Sequence, residues 1–189
     1  MSPQLLLLTG APASGKTWLA EQLVQRYHAC CCSKDEIKEL LFDQLGARDA
    51  VWSRRLSDAS FALLFAYAPR LLSAQRLLLL EGNFRSGEHE PALAAVLRAG
   101  QAELAQVLCQ ADAATRAARL AGRADDPGRH PGHRDQELNP AASRRWDFLQ
   151  LPGPRWLFAS DAAVEPEWRR LCDQIDPWCA RVALPVHKR

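Results

Sequence analysis

Leu5-Leu6-Leu7-Leu8-Thr9-Gly10-Ala11-Pro12-Ala13-Ser14-Gly15-Lys16-Thr17 decides how the chain is read. Its second half has the form G-x-x-x-x-G-K-[ST], with Gly10, Gly15, Lys16 and Thr17 in the defining places. The four leucines before it read as a buried strand. The run after it carries Leu19, Leu23, Val24 and Tyr27 on one side and reads as an amphipathic helix. Strand, glycine-rich loop and helix together predict a phosphate cradle. Backbone N–H groups of such a loop point inward at phosphate oxygens, and the helix N-terminus adds partial positive charge. Glycine lets the backbone approach without a Cβ in the way. Gly10, Ala11, Pro12, Ala13, Ser14, Gly15, Lys16 and Thr17 are therefore the expected nucleotide contacts. Lys16 reaches the β- and γ-phosphates, and the Thr17 hydroxyl is a candidate Mg²⁺ ligand.

The chain has 189 residues, enough for one α/β domain with a sizeable core, and 48% of them are hydrophobic. The formal charge of +2 gives no strong attraction to nucleic acid or membrane. Met1-Ser2-Pro3-Gln4 lacks the features of a signal peptide, and no apolar run approaches the length of a membrane span. A cytoplasmic location is the expectation. Of the six cysteines, Cys30, Cys31 and Cys32 are consecutive. Neighbours on a strand point to opposite faces and cannot readily pair. No C-x-x-C pair suggests zinc. All six are expected to be reduced and buried.

Beyond the first helix, Tyr27 to Cys32 reads as a second strand. A helix opened by Ser33 or Asp35 follows, with Ile37, Leu40 and Leu41 inward and Gly46 at its end. Val51 to Tyr67 reads as a longer helix that Pro69 interrupts, with room for a short helical piece beyond it to Ala74. Arg76 to Phe84 is a third, continuously apolar strand ending in an acid. Glu88 to Arg98 is a helix, Ala102 to Gln110 a fourth strand broken by Glu103 and Gln106, and Asp112 to Arg123 a helix opened by an Asp cap. Residues 124–139 form a basic loop, Pro140 to Gln150 a short helix, Trp156 to Ala159 a fifth strand and Glu165 to Ile175 a last helix. The alternation predicts an α/β three-layer sandwich of the P-loop NTPase type. Its five-stranded parallel sheet has helices on both faces and a basic lid, within a single domain over 1–189. Ligands of such sheets lie at the carboxyl ends of the strands. Gly10, Ser33 to Asp35, Glu81 to Arg85, and Ser160 to Asp161 all follow strands and should converge there.

Glu81 ends a strand expected beside the phosphate loop and is a candidate Mg²⁺ partner, or else a surface acid. Asp35 is a candidate general base or simply a helix cap. Arg119 and Arg123 lie four apart on one helical face, with Arg116 one turn earlier. They lead toward Arg129-His130-Pro131-Gly132-His133 and suggest a mobile basic flap that closes over the triphosphate, or a solvated basic helix. Leu41, Phe42, Trp52, Phe61, Phe65 and Tyr67 are candidates to line an apolar acceptor pocket, though helical spacing suits core equally.

Ser33-Lys34-Asp35-Glu36-Ile37-Lys38, Glu81-Gly82-Asn83-Phe84 and Arg119-Leu120-Ala121-Gly122-Arg123, together with the phosphate loop, resemble the small P-loop kinases grouped with the zeta-toxin-like and chloramphenicol-phosphotransferase-like families. The resemblance covers most of the chain. It implies ATP and Mg²⁺ as cofactors and a hydroxyl acceptor on a small molecule. Asp35 matches the general base or metal-site partner of those kinases, and Arg119 and Arg123 match lid arginines that clamp phosphates. Adenine is implied near Ser160 and Asp161. Two rival readings remain: a polynucleotide 5′-hydroxyl kinase, which near-neutral charge disfavours, and a nucleotide-binding regulatory ATPase with no phosphate acceptor.

Overall fold

The protein is described here from a computed structural model covering residues 2–124, 130–133 and 146–181. Five parallel strands, β1 (Gln4–Gly10), β2 (Cys30–Ser33), β3 (Leu77–Glu81), β4 (Glu103–Gln110) and β5 (Arg155–Ala159), form one sheet in the order β2-β3-β1-β4-β5. Six helices connect them: α1 (Lys16–Tyr27), α2 (Lys34–Leu45), α3 (Ala50–Ala74), α4 (Glu90–Gly100), α5 (Ala113–Ala124) and α6 (Val164–Cys179).

The leucine run of β1 organises the three layers. Strand side chains alternate between faces. Leu6 and Leu8 join a cluster with Leu19 and Leu23 of α1 and with Leu171, Ile175 and Trp178 of α6. Leu5 and Leu7 join the opposite cluster, with Leu64, Ala68 and Leu72 of α3 and Leu93 and Val96 of α4. A strand covered on both faces has no polar alternation, which is why this one is continuously apolar. The two sheet neighbours of β1 place the ends of β3 and β4 beside the phosphate loop, with Leu8 opposite Glu81 and Gly10 opposite Cys109.

Four expectations are corrected. Tyr27 ends α1 rather than opening β2, and His28 turns the chain with φ 51°. The helix over Val51 to Tyr67 does not stop at Pro69. It runs unbroken from Ala50 to Ala74, and Leu64, Ala68 and Leu72, all at most 1% exposed, continue its buried stripe past the proline. Beyond the proline, burying Leu72, at roughly 1.5–3 kcal/mol, and packing Leu71 on the same core offset most of the roughly 3 kcal/mol cost of an internal proline. The expected helix over 140–150 lies partly outside the described residues. From Trp146 to Gln150 it is not helical. There the Gln106 side chain accepts from the Leu149 N–H at 2.9 Å and donates to the Leu149 carbonyl at 3.1 Å. Both backbone groups that a helix would use are thereby satisfied. Gln106, which looked like a flaw in β4, is a fully buried docking point. Finally, the cysteines are not uniformly buried. All six are free, with Cys109, Cys172 and Cys179 buried but Cys31 exposed on the edge strand β2.

Of the predicted lid, residues 125–129 and 134–139 lie outside the described residues. His130 to His133 includes a single 3-10 turn, Pro131–His133. The His130 ring packs on Phe42 and its Nε2 stands 3.0 Å from Asp43 Oδ1, so this turn leans on α2. No helix among the described residues is long and apolar enough to cross a membrane.

Candidate active site

The phosphate loop is shaped by its backbone. Gly10 has φ 149° and Gly15 φ 90°, and a Cβ at Gly10 would collide with the Cys109 carbonyl oxygen. Glycine is required at such a point. Ala13 also sits at positive φ, 60°. For a residue with a Cβ this costs roughly 1–2 kcal/mol, so its surroundings must hold it. The Cys109 thiol and the Ser160 hydroxyl both donate to the Ser14 carbonyl, at 2.8 and 2.7 Å. Arg119 donates to the Ala13 carbonyl at 3.2 Å, to Ser160 Oγ at 2.8 Å and to the Ser160 carbonyl at 2.7 Å. One guanidinium thus ties the loop to the end of β5. Burial pushes the Cys109 thiol up to about 11, so it is a neutral donor.

Inside this cradle Lys16 is 7% exposed and donates to the Ala11 carbonyl at 2.8 Å. An ammonium has three donors, so two remain for a ligand. The Ser14 hydroxyl is buried with no partner among the described residues, and α1 begins at Gly15 with no side-chain cap. Orphaned donors around a glycine-lined concavity fit a nucleotide's phosphates.

A second group of side chains meets through Ser33. Its hydroxyl donates to Glu81 Oε2 at 2.6 Å and accepts the Asp35 N–H at 3.2 Å, capping α2. One oxygen therefore fixes both candidate acids, on strands and helices that are distant in sequence. Glu81 is 3% exposed. Burial pushes its carboxyl above the ordinary range, opposed by Lys16 and by the Ser33 hydrogen bond. A hard cation would offset that desolvation. The Glu81 carboxylate and the Thr17 hydroxyl are oxygen donors of the kind Mg²⁺ takes when phosphate completes its shell, so the residues fit the ion. Lys34 Nζ stands 3.0 Å from Asp35 Oδ1. A Cβ on Gly82 would lie 3.1 Å from Lys34 Cβ, so glycine there lets the start of α2 close on the end of β3.

These parts share one cavity of about 720 Å³. Pro12, Ala13, Gly15, Lys16, Thr17, Asp35, Glu81 and Arg123 line it. Gly10, Ala11 and Ser14 form the base of the loop, and Arg119 stands behind it rather than in the cavity. The two arginines thus divide their contacts. His130 leans on α2 outside the cavity. None of Leu41, Phe42, Trp52, Phe61, Phe65 or Tyr67 lines it. Phe61 is buried in the core, Trp52 donates to the Gly46 carbonyl, and Tyr67 is exposed. In place of those apolar side chains the cavity wall carries polar and charged ones, among them Lys34, Lys38, Ser53, Arg54, Ser57, Asn83 and Arg85.

Sequence reasoning missed the tethers made by Ser33, Cys109 and Ser160. Only the Ser33 cap left a local signal, a serine between strand and helix. The others depend on the register of β4 and the end of β5.

A solved candidate kinase of Chloroflexus aurantiacus J-10-fl superposes with a TM-score of 0.83 at 27% identity, covering 96% of this chain and 98% of that one. The fold is shared at 15% identity by the APS kinase CysC of Mycobacterium tuberculosis, solved with AMPPNP and APS (TM-score 0.57, 93% and 98% covered). It is shared at 12% identity by a gluconokinase of Sinorhizobium meliloti 1021 (TM-score 0.53, 95% of each chain). No curated protein matches the chain. Residues 5–143 match the family described as AAA domain (AAA_33), and with the strand order, phosphate loop and solved likenesses above, the chain belongs to that family and has the P-loop kinase fold.

Proposed function

We propose that this protein is an ATP- and Mg²⁺-dependent kinase that phosphorylates a hydroxyl of a small molecule. One observation carries the reading. One cavity is lined by Lys16 and Thr17, by Asp35, Glu81 and Arg123, and by the polar side chains of Lys38, Ser53, Arg54 and Ser57. Donor phosphates and an acceptor then fit in one space. The names of the solved likenesses, kinases of a sugar acid and of APS, support a small acceptor. The segments Ser33 to Lys38, Glu81 to Phe84 and Arg119 to Arg123 support kinship with zeta-toxin-like and chloramphenicol-phosphotransferase-like kinases, within one domain that includes the 124–139 lid.

In this reading Asp35 takes the proton of the acceptor hydroxyl as its oxygen bonds to the γ-phosphorus. The bond to the β-phosphate oxygen breaks, leaving ADP and a phosphate ester. Lys34 holds the Asp35 carboxylate in place. Lys16 and Arg123 face the charge that develops on the transferring group, and Arg119 keeps the loop in shape. Mg²⁺ held through Thr17 and Glu81 would neutralise phosphate charge. Positioning and fixed charge supply the catalysis, since phosphoryl transfer needs little covalent help.

The test is ATP consumption with Mg²⁺ against a library of hydroxyl compounds. Acceptor-dependent loss of ATP, falling about 10²–10⁴-fold in Asp35→Asn while AMPPNP affinity is kept, supports the reading. ATP loss indifferent to every acceptor removes it in favour of a regulatory ATPase.

A further inference from the structure

Part of the cavity wall is built from groups whose hydrogen-bonding capacity is unspent. Lys34 is 4% exposed and lines the cavity. Its ammonium has one partner, Asp35, and lies 5.7 Å from the centre of the Phe61 ring. Two N–H donors are thus held in a nearly dry site with nothing to bind. Arg85 enters from the segment after β3. Its Nη1 pairs with Glu88 at 3.1 Å, but its Nε is buried and has no partner among the described residues. Asn83 lines the same wall, and its Oδ1 is likewise buried without a partner. On the facing helix, Arg54 lines the cavity and makes no ion pair among the described residues.

Buried polar atoms left without a partner are costly, and a folded protein keeps few of them outside ligand sites. Here they also have a fixed frame. The Arg85 backbone N–H donates to Nδ1 of the buried His89 at 2.8 Å, and the His89 ring stacks 4.2 Å from Phe61. Thr9 Oγ1 donates to the Phe84 carbonyl at 3.0 Å, tying the segment to β1. Lys34 and the backbone that carries Arg85 are therefore preorganised, and Arg54 adds an exposed cation at the cavity wall.

Five acids line the same cavity: Glu21, Asp35, Glu36, Glu39 and Glu81. Asp35 is paired with Lys34, and Glu81 is held by Ser33 beneath Lys16. Burial raises the Cys31 and Cys32 thiols and the nearby Glu36 charge adds to it, which sets Glu36 toward the β2 side of the cavity. Six cations line the cavity against these acids, Lys16, Lys34, Lys38, Arg54, Arg85 and Arg123, and of the Lys34, Arg54 and Arg85 set only Lys34 and Arg85 have an acid partner among the described residues.

We infer that the acceptor is a small polyhydroxylated anion. Lys34, Arg54 and Arg85 bind its carboxylate or phosphate group, and Asn83 takes one of its other hydroxyls, beside the hydroxyl that Asp35 orients. This rests on the kinase reading and narrows its substrate class. Uncharged polyols offer no negative charge to the spare donors of Lys34 and to Arg85 Nε and are disfavoured for that reason.

The experiment compares kcat/KM for D-gluconate, D-glycerate and glycerol phosphate with their uncharged counterparts D-glucitol and glycerol, at saturating Mg-ATP. At least one anion is favoured over its counterpart by about tenfold or more. Whether carboxylates or the phosphate ester gain most identifies the anionic group. Arg85→Met raises KM for the preferred anion and lowers that preference at least about tenfold, and Arg85→Lys restores part of it. Arg54→Gln, a substitution of an exposed side chain that carries no folding risk, moves the preference the same way by less. AMPPNP affinity stays at the wild-type value in all three. Turnover with uncharged compounds equal to or above that with anions, or a preference unchanged in both Arg85→Met and Arg54→Gln, overturns the inference and leaves the kinase reading standing. No turnover with any compound, while AMPPNP still binds, overturns both.

Discussion

Arg119→Ala is expected to loosen the phosphate loop without touching the cavity. The guanidinium makes three hydrogen bonds, to the Ala13 carbonyl, Ser160 Oγ and the Ser160 carbonyl, at 3.2, 2.8 and 2.7 Å. A bond to a charged group contributes roughly 1.5–3 kcal/mol. These three share one partly exposed side chain and do not add, so the loss is about 2 kcal/mol for the set. For a chain of this size that lowers the melting temperature by roughly 4–8 °C. Ala13, at φ 60°, loses the contact that holds it in a costly conformation. If about 1.4 kcal/mol of the loss falls on the loop that the nucleotide must find ordered, AMPPNP binds about tenfold more weakly. Arg119→Lys keeps the charge but not the planar fork and should fall between. Thermal unfolding and calorimetric titration with AMPPNP measure both quantities. Wild-type melting together with wild-type affinity in Arg119→Ala would refute the bracing role.

Lys16→Ala should weaken triphosphate binding and lower turnover by about 10²-fold or more, since it removes the buried ammonium of the cradle; normal ATP turnover would mean that catalysis lies elsewhere. Gly10→Ala forces a Cβ onto the Cys109 carbonyl at φ 149° and should destabilise by about 3 kcal/mol, read as a lower denaturation midpoint, whereas an unchanged midpoint contradicts the loop geometry. Glu81 has a folded pKa raised by burial, so its contribution is fully favourable below the unfolded value of 4.5 and is lost as pH rises through the folded value. Ligand-free Glu81→Gln should therefore match wild type in acid, melt higher near neutral pH, and lose the stabilisation that Mg-ATP gives wild type; melting curves that stay parallel across pH would contradict this.

The parts of this architecture that the sequence shows are those with local causes. The glycine and lysine spacing of Gly10 to Thr17 declares its loop because only certain residues fit that backbone. The leucines of β1 and β3 declare a sheet covered on both faces. Ser33 as a cap of α2 follows from its place between strand and helix. What escaped depends on long-range register. Gln106 reads as a flaw in β4 until Leu149 is seen docked on it. Pro69 reads as a stop until the buried stripe on both sides of it is counted against the missing N–H. Phe61 and Trp52 share helical spacing with pocket residues, and spacing names a face without naming what it faces. The convergence of Ser33 to Asp35 and Glu81 to Arg85 follows from their places after strands, whereas the share of α3 in the polar wall does not. The unpartnered state of Arg85 Nε and Asn83 Oδ1 was not, because an unmet hydrogen bond exists only in three dimensions.

The most direct measurement of the central claim follows the γ-phosphorus itself. Phosphorus NMR of the protein with Mg-ATP and the acceptor that most stimulates ATP loss should show a phosphate ester growing in step with ADP. Asp35→Asn should slow it by about 10²–10⁴-fold without loss of AMPPNP affinity. Appearance of inorganic phosphate in place of the ester, at a rate that acceptor and Asp35→Asn leave unchanged, would contradict the kinase account.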